Sequence, residues 1–304
     1  MTFIHNLKPI VYPLGIALCL STLMSLTAQA VTTIKVGSEG FTEQIILSEM
    51  TTQYLEEKGF KVDNDRGLTA RDLREKLERN EINLFWDYVA TAFLATHNQN
   101  YTGQPLETIY SWLKTEDEKI GLVWLDKSNA NDTYALAMRS EDAKAKGIRT
   151  ISDLARYQNN IGGLTLASDL EWYTRNDGLG ALEKKYKFNI PREDVQRTEI
   201  GLVYKALRDE KFDVALVYST DGRIISMGLT VLEDDRRFFP QYILAPVIHK
   251  DALQANPQLA GYLNDISALL TDESMTKLNA RVDVDRVLIW EVAEDFLIEH
   301  GLLN

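Results

Sequence analysis

Cysteine is almost missing from this chain: Cys19 is the only one in 304 residues. Beyond it, no disulfide and no thiolate-ligated metal can form. Histidine is scarce too. His5, His97, His249 and His300 are the full set, and none stands in a metal-binding H-E-x-x-H spacing. The G-x-S-x-G nucleophile elbow and the G-x-x-x-x-G-K-[ST] phosphate loop are both absent. His97 and His249 read as surface residues at element ends. No cofactor or metal is expected, and no residue spacing argues for catalysis. Positive charge is in deficit, with 33 Lys and Arg against 45 Asp and Glu, a net charge of -12. That excludes nucleic acid and anionic membrane surfaces as natural partners. There is no low-complexity linker and no internal repeat.

What is present begins with a leader. His5 and Lys8 precede an apolar run from Val11 to Leu26, and Thr27-Ala28-Gln29-Ala30 closes it. Ala28 and Ala30 are the small residues a signal peptidase needs, so cleavage is expected after Ala30, giving a periplasmic protein. Pro13 and Gly15 interrupt a run already short for a membrane span. Leu18 precedes Cys19 where a lipidation signal needs a small residue, so lipidation is not expected.

Strand and helix patterns then alternate. Ile34–Val36 reads as a strand and Gly37–Thr42 as a turn, with Ser38 or Thr42 available to cap a helix. Ile46, Met50 and Tyr54 carry that helix to Gly59. Phe60–Val62 is a strand, and Thr69–Arg79 a helix with Leu73 and Leu77 on one face. Pro105–Lys119 is helical with Ile109 and Leu113 inward, and Gly121–Leu125 is extended. A polar turn over Asn129–Thr133 leads into a strand over Tyr134–Met138. The alternation restarts there, with strands over Leu164–Ala167, Phe212–Val217 and Leu229–Leu232. Tyr242–Ile248 is a strand that returns to the first unit, before a helical tail from Pro257 to Glu299. The pattern predicts two α/β lobes, each a sheet flanked by helices, which two crossings would let hinge. Lobe I is expected over 31–133 and 243–304, and lobe II over 134–242.

Aromatic residues gather at strand ends and crossovers. The stretch Glu81–Ala92 places Trp86, Asp87 and Tyr88 where a strand gives way to a helix, the position at which open α/β sheets bind ligands. Tyr134 opens the strand after the first crossover and follows Asp132. Trp172 follows another strand, three residues before Arg175. Tyr218 ends a strand, and Tyr242 lies at the second crossover. Rings converging from these positions would hold a quaternary ammonium group by cation–π attraction. Asp132 would add negative charge, and Arg175 would receive a carboxylate. Each residue also has an ordinary reading. Tyr134 and Tyr242 would pack at the hinge, Trp172 in the core, and Arg175 would pair with Asp177.

Five ordered motifs resemble one family. Val36-Gly37-Ser38-Glu39-Gly40-Phe41-Thr42-Glu43-Gln44 is similar to V-G-S-K-x-F-T-E-Q, and Glu81 to Ala92 to G-E-I-D-L-Y-x-E-Y-T-G-T-A. Arg175–Leu179 resembles R-x-D-G, Ser219–Ile224 resembles T-T-D-G-x-I, and Asp234–Tyr242 resembles D-D-x-x-x-F-P-x-Y. These belong to the substrate-binding proteins of glycine betaine/choline/carnitine ABC transporters. The resemblance implies two lobes closing over a ligand, an aromatic cage on Tyr88, Tyr134, Tyr218 and Tyr242, and an acid beside it at Asp132. It also implies carboxylate-binding positions at Thr91 and Arg175, and an inner-membrane permease as partner; a monomer is expected. Two departures bear on specificity. Glu39 stands where betaine binders carry Lys, and Val89-Ala90-Thr91 replaces Thr-Gly-Thr. If Glu39 faces the cleft, an anion-binding charge is reversed, worth roughly 4 kcal/mol for a unit pair at 4 Å and a dielectric of about 20. The alternative is a Glu39 in solvent. An enzyme acting on a quaternary amine, or a ligand-sensing partner of a membrane protein, would use the same cleft.

Overall fold

The computed structural model describes residues 1–2 and 33–304. The expected leader over 1–30, with Cys19, lies outside the described residues except for its first two positions. Thr32–Asn304 forms one compact unit containing two five-stranded sheets. The first orders its strands β2-β1-β3-β10-β4: β1 Thr33–Glu39, β2 Lys61–Leu68, β3 Leu84–Tyr88, β4 Leu122–Trp124 and β10 Leu244–His249. The second runs β7-β6-β8-β5-β9: β5 Tyr134–Arg139, β6 Leu166–Ser168, β7 Val195–Arg197, β8 Val214–Tyr218 and β9 Leu229–Val231.

Each sheet is mixed for the same reason. The strand that follows a passage between the sheets runs against its neighbours. β5 is antiparallel to β8 and β9; β10 is antiparallel to β3 and β4. The pairs β1–β2, β1–β3, β6–β7 and β6–β8 are parallel, joined by helical crossovers. The two passages, 125–133 and 232–243, bond to each other. Asp132 N donates to Tyr242 O at 3.2 Å, and Leu244 N, at the start of β10, donates to Ala130 O at 3.1 Å. Asn131 and Ile243 form an antiparallel bridge.

Helices cover both faces of the sheets. Thr42–Glu57 buries Ile46, Leu47, Met50 and Tyr54, and Thr51 accepts a 2.9 Å hydrogen bond from Trp86 Nε1. Ala70–Glu78 starts with a reciprocal cap between Thr69 and Asp72 and buries Leu73 and Leu77. Several boundaries differ from the sequence pattern. β1 runs through Gly37 to Glu39, because Ser38 pairs with Arg66 and Glu39 with Leu68 of a longer β2. The following helix is preceded by Phe41, without a side-chain cap, so neither Ser38 nor Thr42 fills that role. Thr42 Oγ1 donates instead to Asp283 Oδ1 at 2.7 Å. Tyr242 precedes β10 rather than opening it.

His97 was expected at the surface, but it is half-buried at the end of Ala92–Thr96. It meets the fully buried Asp117 at 2.8 Å, and Asp117 also accepts from Trp124 Nε1 at 2.6 Å and from both Arg74 terminal nitrogens at 2.8 and 2.5 Å. His249 is buried too, and its Nδ1 accepts from Asp251 N at 3.2 Å.

Candidate functional site

The topology brings the tyrosines together. Tyr134 opens β5 and Tyr218 closes the antiparallel β8, and the two are paired in register. Their rings are 5.4 Å apart at 44°. Tyr242, arriving on the second passage, meets Tyr134 edge-on at 5.6 Å and 89°. Tyr88 ends β3 opposite Leu244 of β10. It is buried in a cluster with Tyr242, against which Tyr134 packs. The Tyr88 ring stacks on Phe41 at 6.3 Å and 20°.

Tyr134 lines two cavities. One, of about 810 Å³, is lined by Tyr134, Tyr242, Trp172 and Arg175 on one side and by residues between Leu94 and Gly103 on the other. The second, of about 690 Å³, is lined by Tyr134, Tyr218, Asp169 and Arg197 among others. Tyr88, Thr91, Glu39 and Asp132 line neither cavity. Thr91 is half-buried at the end of the turn Val89–Thr91.

Arg175 lies 5.9 Å from the centre of the Tyr134 ring and forks onto Asp177 at 2.8 and 2.7 Å. Gly178 completes that turn by close approach: a Cβ there would stand 1.7 Å from the Trp172 carbonyl oxygen. Trp172 itself is fully buried and faces Phe239 at 6.3 Å.

Beneath the rings lie acids with few counter-charges. Asp132 is buried and accepts from Thr220 N at 3.3 Å. Burial, then the charge of Glu43, push its carboxyl well up from the ordinary carboxylate range. Glu43 is buried as well, and burial pushes it up against the pull of its hydrogen bonds to Asn279, Thr220 and Tyr88. Asp87 is pushed up to about 7 by burial, with Arg74 opposing and Glu39 reinforcing the shift. Glu39 is half-buried, and its charge also acts on the Tyr88 hydroxyl.

Two residues here were missed in the sequence as individual participants, Phe41 and Glu43. Both stand inside the first motif. An aromatic beside a helix start and an acid in a first helical turn both have commonplace uses, so neither declares a role.

Residues 32–299 match the OpuAC family, the substrate binding domain of ABC-type glycine betaine transport systems. This chain belongs to that family. A glycine-betaine-binding protein of Pseudomonas aeruginosa is 37% identical over 280 residues, 90% of this chain and 89% of that one. The glycine betaine-binding protein YehZ of Escherichia coli is 29% identical over 293 residues, covering 94% and 96%. A crystal structure of a glycine betaine/carnitine/choline ABC transporter protein superposes with a TM-score of 0.80 at 29% identity, over 89% of this chain and all of that one. This chain is thus a substrate-binding component of an ABC transporter, with the two-lobe fold of periplasmic binding proteins. Its relatives are transporter binding proteins rather than enzymes. Among the described residues no helix is long and apolar enough to cross a membrane.

Proposed function

We propose that this protein is a periplasmic, non-catalytic receptor that captures a quaternary ammonium compound and delivers it to an inner-membrane permease. Glycine betaine, choline and related osmoprotectants form the ligand class. Tyr88, Tyr134, Tyr218 and Tyr242 make the aromatic cage in this reading. The observation that carries it is the mutual contact of Tyr134 with Tyr218 at 5.4 Å and with Tyr242 at 5.6 Å, at the border of two cavities. A trimethylammonium group has no N–H to donate, and electron-rich faces bind it without demanding one. Lobe I at 31–133 and 243–304 and lobe II at 134–242 close over it about the paired passages.

Arg175 and Thr91 are assigned to a ligand carboxylate, and Asp132 and Trp172 to the surroundings of the cage. Glu39 weighs against the carboxylate in this reading, because its negative charge stands near enough to Tyr88 to act on its hydroxyl. The relative strength of betaine and choline therefore reports the balance between Arg175 and Glu39.

Calorimetric titration of residues 31–304 with glycine betaine, choline, carnitine and tetramethylammonium tests the reading. Saturable binding is expected, with the ligand recovered unchanged. Absence of heat with all four would remove this ligand class, and turnover would make the protein an enzyme.

A further inference from the structure

One carboxylate ties together the end of β3, the turn after β8 and the helix Asp272–Asp283, although Glu43 itself lines neither cavity. Glu43 sits in the first turn of Thr42–Glu57 and is 3% exposed. Its Oε1 accepts from the Tyr88 hydroxyl at 2.9 Å. Its Oε2 accepts from Thr220 Oγ1 and from Asn279 Nδ2, both at 2.8 Å. Thr220 stands two residues beyond Tyr218, in the turn that leaves the second sheet. That turn is seated tightly on the helix Asp272–Asp283. A Cβ on Gly222 would lie 2.4 Å from Ala280 Cα, so only glycine fits the approach. Asn279 locks the same turn by donating to Thr220 O at 3.2 Å.

Among the described residues, no basic side chain is a hydrogen-bond partner of Glu43. The charged groups around it are mostly acids. Asp132 shares the Thr220 contact and Asp283 binds Thr42, while Asp221 is spent on Arg223; Glu39 and Asp87 flank Tyr88. Thr220 thus links two buried acids, donating from its N to Asp132 and from its Oγ1 to Glu43. Such a pair is costly to ionise fully until a cation arrives nearby.

We propose that Glu43 is a positioning residue of the ligand site: its carboxylate fixes the spacing between Tyr88 on the first lobe and Tyr218 on the second, and it ionises when a cation enters between them. The inference rests on the cation-binding reading above and names a residue and a proton that reading does not require. Because the bound cation favours the ionised carboxylate, binding releases a proton to solvent, and affinity rises with pH.

Tetramethylammonium and choline are titrated into wild type, Glu43→Gln and Glu43→Ala at about pH 6 and about pH 8, in buffers of different ionisation heat. Wild type should release a fraction of a proton and bind more tightly at the higher pH. Glu43→Gln keeps the shape and most hydrogen-bonding atoms; it should bind, with both the proton release and the pH dependence reduced. Glu43→Ala should lose about tenfold in affinity, as expected for deleting hydrogen bonds that place a ring. Wild-type proton release persisting in Glu43→Gln would overturn the proposal. So would Glu43→Ala that melts earlier yet binds as wild type does. A wild type that binds neither cation overturns the ligand reading itself, and this inference with it.

Discussion

Asp117 and Glu43 are both buried carboxylates, and they are held in opposite ways. Asp117 has Arg74 forked onto it, His97 against it and the Trp124 indole donating to it. Burial raises its proton affinity, yet these partners more than cancel that and hold it below the usual carboxylate range. Glu43 has three hydrogen bonds from neutral groups and ends above that range. The difference is a single full positive charge. A carboxylate given its own cation is finished chemistry and serves the fold, anchoring the segment after Thr91 to the helix Leu106–Glu118. A carboxylate left with neutral donors beside an aromatic cluster stays responsive to a cation from outside.

Removing the counter-charge tests this most severely. Arg74→Ala leaves Asp117 buried with only His97 as a basic neighbour, and should cost about 3–5 kcal/mol of unfolding free energy in a urea titration. A loss under about 1 kcal/mol would mean water replaces the guanidinium and the two sites are not so different. The ring cluster ranks next. Tyr134→Ala takes away the ring shared by Tyr218 and Tyr242 and should weaken cation binding on the order of 30-fold, about 2 kcal/mol. Tyr134→Phe, which keeps the ring face, should bind within a few-fold of wild type; equal losses in both variants would point to the hydroxyl instead.

The smallest effect is on pH dependence. Burial pushes Asp87 up to about 7 in the folded state, against an ordinary 3.8. The folded protein therefore holds its proton through a window in which the unfolded chain has released it. Stability contributed by that proton is present below about 3.8 and is lost as pH rises to about 7, the reverse of the Asp117 case, whose stabilisation is lost on acidification. Unfolding measured across the window should show Asp87→Asn with a flatter profile than wild type. Profiles that coincide would mean Arg74 keeps Asp87 charged.

The alternation of short strands with helices made the two α/β units readable, since apolar periodicity and turn residues are local signals. The tyrosines were readable because strand ends are the functional edge of a sheet. Register was not: nothing local announces that Tyr134 and Tyr218 stand opposite each other, which depends on β5 entering antiparallel. β7 passed unnoticed because Val195–Arg197 has one buried residue and follows a single 3-10 turn. His97 read as surface because its partner is 20 residues away. Glu43 was hidden for a similar reason, as its donors come from positions 45, 177 and 236 residues off along the chain.

β10 lies between β3 and β4 although it is the last strand to be made. During synthesis the second sheet has all its strands once Val231 has appeared, while the first still has a gap in its middle. The two flanking strands cannot bridge that gap with each other, so their backbone groups wait for residues 244–249. A chain ending at about residue 240 would hold every strand of the second sheet and lack an interior strand of the first.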